Sequence, residues 1–149
     1  MDNTSIGCLI SIVILIAMSA YFSATETAFS SVNLVRLKNS GSKQAKTAVF
    51  IAEHFDKALS TILIGNNILN IPSASFGTVV FTAWFEKNGV ALSTVVMTIL
   101  VLCFGEILPK SFAKENAESF ALKSAPILKF LMTVFTPLAF VFLKLKNLF

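Results

Sequence analysis

The sequence predicts an all-α integral membrane protein, with three transmembrane helices joined by amphipathic juxtamembrane helices. Three observations carry that prediction. Of 149 residues, 55% are hydrophobic and 13% are charged, about half the charged share of a soluble domain. The mean hydropathy is +0.78. The charged residues fall in short runs between apolar stretches long enough to cross a bilayer. The net charge of +4 is therefore spread over flanks instead of forming a binding stripe, and no nucleic-acid partner is expected. The length leaves room for three or four passes, so residues 1–149 read as a single transmembrane domain within the lipid bilayer.

The first span covers about residues 6–30. It is apolar from Ile6 to Ala24 apart from Gly7, Ser11, Ser19 and Ser23, long enough to cross at about 1.5 Å per residue. A cleaved signal peptide would begin with basic residues, whereas Met1-Asp2-Asn3 has none. Arg36, Lys38, Lys43, Lys46 and Lys57 follow the span, which predicts an N-terminus outside and a first loop inside. Residues 31–56 turn amphipathic, break at Asn39-Ser40-Gly41-Ser42, and read as a helical hairpin at the cytoplasmic interface. The second span, about 58–85, ends in Glu86-Lys87-Asn88-Gly89, whose single base suits the outside. The third, about 90–109, returns the chain to an inner flank carrying Lys114, Lys123 and Lys129.

Residues 111–146 read as further juxtamembrane helix. Pro126 to Leu143 is apolar enough to span, but Pro126, Lys129 and Pro137 fit a crossing poorly. With this segment re-entrant or interfacial, every base except Lys87 lies inside, the topology the positive-inside rule favours. The C-terminus is then cytoplasmic and the protein a multi-pass component of the cell (inner) membrane. Cys8 and Cys103 lie within apolar runs with no CxxC spacing and read as packing residues.

Two acids stand inside the spans, where an acid at mid-helix costs at least about 2.5 kcal/mol, which marks it as a candidate functional group. Glu26 shares one helical face with Ser23 and Ser30, at i, i+3 and i+7. Glu106 sits in Phe104-Gly105-Glu106-Ile107-Leu108-Pro109-Lys110. Proline has no N–H to offer the carbonyl four residues back, so Pro109 is expected to free the Gly105 carbonyl beside the Glu106 carboxylate. Pro72 repeats the device in the second span, freeing the carbonyl of Ile68 near Asn66, Asn67 and Asn70. Helices interrupted in this way line ion sites in transporters.

The three clusters are expected at one depth, in the cytoplasmic half of the membrane. Their carboxylate, hydroxyl, amide and carbonyl oxygens suit a hard cation, Mg²⁺ or Na⁺, and not zinc or copper. Plainer readings stand beside this one. The asparagines can bond neighbouring helices, Glu26 can pair with Arg36 or cap the next helix, and Glu106 can pair with Lys110 at i, i+4. Lys110 also suits an interface anchor, and the small residues Gly65, Ser73, Ala74, Ser75 and Gly77 suit close helix packing.

At these motifs the sequence resembles the transmembrane domain of the CorC and cyclin M (CNNM) magnesium transporter family. The matching segments are Ser23-Ala24-Thr25-Glu26-Thr27-Ala28, Leu63-Ile64-Gly65-Asn66-Asn67-Ile68-Leu69-Asn70 and Phe104-Gly105-Glu106-Ile107-Leu108-Pro109-Lys110. The resemblance implies a homodimer with three spans per subunit, a belt of juxtamembrane helices, and a cytoplasm-open Mg²⁺ site driving export coupled to Na⁺ entry. It implies Mg²⁺ ligands from Ser23, Asn70, the Gly105 carbonyl and Glu106. Glu26, Asn66 and Asn67 follow as supporting or Na⁺-related groups. It also implies a cytoplasmic pair of CBS repeats as the partner domain of the full-length protein, absent from this chain, which looks like an excised membrane domain.

The leading functional expectation is thus Mg²⁺ transport, with Mg²⁺ as cargo and Na⁺ as coupling ion. The alternative is a regulatory or scaffold protein that senses Mg²⁺ without moving it. An enzyme is not expected, since the spans hold no nucleophile with a base, no HExxH and no aspartate pair.

Overall fold

The computed structural model describes residues 3–148; Met1, Asp2 and Phe149, at the ends of the predicted domain, lie outside the described residues. Helices follow one another almost without loops: α1 (Asn3–Ser31), α2 (Leu34–Ser40), α3 (Lys43–Glu53), α4 (Phe55–Phe85), a 3-10 turn (Glu86–Asn88), α5 (Gly89–Leu100), a π-helical segment (Val101–Ile107), α6 (Leu108–Glu115), α7 (Ala117–Val134) and α8 (Thr136–Leu148). No strand occurs among the described residues. Two helical runs are long and apolar enough to cross a membrane, Asn3–Ser31 and Phe55–Glu115. The second reverses at the 3-10 turn, where Glu86 takes φ 52°, and so provides two arms. Helices α7 and α8 meet the same criterion only together, across a 57° bend, so there are two such runs, or three with this bent pair, each run counted once whether or not it reverses.

The chain divides into two compact units. The first contains Met1–Ser23 and Gly65–Ser111. Here α4 and α5 fold into an antiparallel hairpin. Gly89 lies against the backbone of Thr82, and Gly77 lies against Met97 and Ser93. Glycine and serine at these crossings let backbones approach closely, the usual basis of association in lipid.

The interruption expected at Pro72 is not seen, because α4 runs unbroken through it. One missing N–H does not break a 31-residue helix. Ser73 Oγ donates to the Leu69 carbonyl (2.9 Å) and Ser75 Oγ to the Ile71 carbonyl (3.2 Å), ordinary contacts one turn back, and neither reaches the Ile68 carbonyl that Pro72 frees.

The second unit contains Ala24–Ile64 and Phe112–Phe149. Its amphipathic hairpin forms where the polar break predicts. Asn33 caps α2, accepting from the amides of Val35 and Arg36, and Gly41 closes it with φ 72°, a conformation glycine adopts without a Cβ penalty. Ser42 Oγ then accepts from the Ala45 amide to start α3. Ala45, Ala48 and Ile51 of α3 are buried, as are Ala121, Ser124, Ala125 and Leu128 of the facing α7. So many small side chains leave no room to grow. Ala48→Leu is expected to cost about 1–3 kcal/mol through overpacking, whereas Leu at exposed Gln44 changes stability by less than about 0.5 kcal/mol; denaturant unfolding followed by circular dichroism reads the difference.

Candidate functional site

In the first unit, α1 presents buried Ser19, Phe22 and Ser23 on one face. A Cβ on Gly65 would stand 2.8 Å from Phe22 Cζ, so the bare backbone of Gly65 is what seats the Phe22 ring where α1 and α4 meet. One residue further along α4, Ser19 Oγ donates to Asn66 Oδ1 at 3.2 Å. Gly105 also faces this hydroxyl, since a Cβ there would lie 3.6 Å from Ser19 Oγ. Ser19 is therefore the point where α1, α4 and the π-helical segment converge. It was legible in the sequence only as a gap in an apolar run, although its i, i+4 relation to Ser23 was available.

Ser23 and Asn70 stand on either side of that point. As α4 advances from Gly65 to Asn66, its contact on α1 retreats from Phe22 to Ser19, the antiparallel sense. At ~1.5 Å per residue, Ser23 and Asn70 are then roughly 10 Å apart along the helix axes. Both carry a buried oxygen with no hydrogen-bond partner, Ser23 Oγ and Asn70 Oδ1. A buried polar atom left unmet costs about 1–3 kcal/mol, and such an atom calls for a water or a ligand. The structure thus arranges polar groups as a ladder along the helices, with Ser19, Asn66 and Gly105 at its centre.

The π-helical segment sharpens what Pro109 does. Leu108 N–H donates to the Cys103 carbonyl, five residues back. Pro109 has no N–H, and α-register resumes at Leu108, so the amide of Ser111 serves Ile107. The carbonyls of Phe104, Gly105 and Glu106 are left with one backbone donor, that of Lys110. The shortfall is therefore spread over three carbonyls and is not confined to Gly105. Single π-turns inside α-helices occur frequently at functional sites.

Neither in-span acid has the ion pair that a plainer reading would give it. Among the described residues, Glu106 and Lys110 form no ion pair, and Arg36 pairs with Glu118 (3.7 Å) and not with Glu26. Glu106 and Glu26 are half-buried, Glu106 in the first unit and Glu26 in the second. Pro72, Pro109 and Lys110 are half-buried as well, whereas Asn67 is exposed. Ser30 is exposed and donates to its own helix at the Glu26 carbonyl (2.9 Å), an ordinary helical contact. No group of three or more His, Cys, Asp or Glu converges among the described residues. A cation at the ladder would therefore be held largely by neutral oxygens.

Beyond Asn70, a cavity of about 330 Å³ opens between α4 and α5, lined by Thr78, Ser93, Thr94 and Thr98 among apolar neighbours. The hydroxyls of Thr78, Thr94 and Thr98 donate to carbonyls one turn back and so can only accept from anything further, and Ser93 Oγ is buried without a partner.

The family model described as the cyclin M transmembrane N-terminal domain matches residues 10–149. The chain belongs to this family. Among cyclin M-type relatives, it is 38% identical over 153 residues to a UPF0053 protein of Haemophilus influenzae, covering 100% of this chain and 36% of that one. It is 37% identical over 124 residues to the UPF0053 inner membrane protein YfjD of Escherichia coli, covering 81% and 29%. A more distant relative, at 25% identity over 157 residues and 95% and 36% coverage, is the polyamine export protein of Haemophilus influenzae. The chain thus spans about a third of the length of these relatives.

Proposed function

We propose that this domain carries Mg²⁺ across the cell (inner) membrane, coupled to Na⁺ entry, as a homodimer with its N-terminus outside. The observation that carries the reading is the pair of unmet buried oxygens, on Ser23 and Asn70, flanking the Ser19–Asn66 bond beside a donor-poor π-turn. Mg²⁺ requires several fixed oxygens to replace hydration waters. The Phe104–Glu106 carbonyls, the Glu106 carboxylate and the serine and asparagine side chains supply that chemistry. Ser23, Asn70, Gly105 and Glu106 remain the proposed ligands, met in succession along the ladder because Ser23 and Asn70 stand too far apart to bind one ion at once, with Ser19 and Asn66 added as the group between them. Na⁺, also a hard cation, would use the same oxygens or those near Glu26, and a CBS-type domain would regulate the whole protein.

One relative exports polyamines, and hydroxyl, amide and carbonyl acceptors with an unpaired carboxylate also suit an ammonium group. Proteoliposomes holding the protein, loaded with Mg²⁺ or with spermidine and placed with or without an opposing Na⁺ gradient, separate these cargoes. The expected result is Na⁺-dependent Mg²⁺ flux that falls at least about tenfold in Ser19→Ala and Asn70→Ala. Spermidine flux alone supports the polyamine reading. Saturable Mg²⁺ binding without flux supports a sensor.

A further inference from the structure

The second unit holds a cavity of about 310 Å³ where the start of α4 meets α3, α7 and α8. Its charged lining is two lysines, Lys57 and Lys129, and no acid takes part. Among the described residues neither lysine forms an ion pair; the pairs present are Arg36 with Glu118 and Lys38 with Glu53. Lys129 Nζ is held 5.1 Å above the centroid of the Phe50 ring, a cation–π contact that fixes its position without neutralising it. The remaining wall is largely apolar, with Met132, Phe140 and Leu143.

The threonines in the wall are already engaged. Thr61 Oγ1 donates to the Lys57 carbonyl, Thr133 Oγ1 to Lys129 and Thr136 Oγ1 to Met132. The ammonium groups are thus the side-chain donors left for a ligand. Lys57 is the third residue of a helix that is long and apolar enough to cross the bilayer, so this cavity sits at a membrane-proximal helix end. Two uncompensated cations at the rim of an apolar slot complement a molecule that is anionic at one end and hydrocarbon at the other.

We infer that this cavity is a binding site for one anionic glycerophospholipid, its phosphodiester between Lys57 and Lys129 and an acyl chain along Met132, Phe140 and Leu143. The inference is independent of the transport reading, because it draws on the second unit alone and is read by binding. A juxtamembrane lysine facing anionic lipid contributes about fivefold in affinity, and two about 30-fold. A headgroup at this position would join α4 to α7 and α8, adding to the bond from Thr136 Oγ1 to the Met132 carbonyl that already spans the bend at Phe135.

The test is native mass spectrometry of the whole chain in detergent, titrated with phosphatidylglycerol or phosphatidylcholine. Retention of phosphatidylglycerol at least tenfold better than phosphatidylcholine is expected. Lys57→Gln and Lys129→Gln each lower it about fivefold and the double variant about 30-fold, while Lys57→Arg with Lys129→Arg preserves it. Lys43→Gln, on α3 outside the cavity, is expected to leave it unchanged. Equal retention of both lipids overturns the site, with no variant required. An equal loss in Lys43→Gln also overturns it, since diffuse surface charge would then suffice. Displacement of the lipid by millimolar inorganic phosphate overturns the lipid assignment in favour of a free-anion site.

Discussion

Glu106→Gln is expected to raise the stability of the protein while lowering Mg²⁺ flux by about 10–100-fold. The two effects have one origin. Glu106 is half-buried in a span and has no ion-pair partner among the described residues, and an acid at mid-helix is penalised by at least about 2.5 kcal/mol. Glutamine keeps the shape and one carbonyl oxygen but removes the charge, so the folded state is relieved of part of that cost. The same charge is the strongest single attraction the ladder offers a divalent ion. The remaining groups there are the neutral oxygens of Ser19, Ser23, Asn66, Asn70 and the Phe104–Glu106 backbone. The thermal midpoint in lipid nanodiscs and flux in proteoliposomes read the two signs separately. A lower midpoint with unchanged flux would assign Glu106 a structural role and remove it from the site.

Gly89→Ala is expected to destabilise the protein by about 3 kcal/mol or more, although glycine is usually a poor choice in a helix. Gly89 has ordinary helical dihedrals, φ −59° and ψ −44°, so conformational freedom is not the reason for it. A Cβ would lie 2.5 Å from Thr82 Cα and 2.7 Å from both the Thr82 nitrogen and the Phe81 oxygen. Backbone atoms cannot swing aside as a side-chain end can, so the α4–α5 turn would have to open. That turn also fixes the two walls of the cavity beyond Asn70, and flux is expected to fall with stability. Gly7→Ala is the matched control: nothing lies within 4 Å of its Cβ, and alanine there gains roughly 0.5–1 kcal/mol of helix propensity. Unfolding in mixed micelles by circular dichroism compares them. Equal stability of the two variants would mean that the close approach at Thr82 does not constrain the fold.

Several features were legible because they are local. Apolar runs of bilayer length produced α1 and the two arms of the Phe55–Glu115 run. The break at Asn39–Ser42 became an αL glycine followed by a serine cap. The motifs containing Glu26, Asn66 to Asn70 and Gly105-Glu106 were sufficient to resemble the family that the comparison then showed. Two local readings needed correction. Pro72 does not interrupt α4, since a long helix keeps its course through one lost bond. Pro109 follows directly on a π-helical segment, a register that the spacing of one proline does not announce.

The sequence by itself determined the apolar spans, the amphipathic hairpin and the oxygen-rich motifs, because each depends on residues within a few turns of one another. Only the tertiary structure decided which oxygens meet. Serine is common in membrane helices, and Ser19 became central when Gly65 brought α1 against α4 and Gly105 left its own side of that hydroxyl open. Likewise Lys57 and Lys129, 72 positions apart, share one cavity because four helices fold around it. Hydrophobic periodicity sets which face of a helix turns inward, but close contact between two faces depends on the absence of side chains at the crossing, and that is a property of the pair.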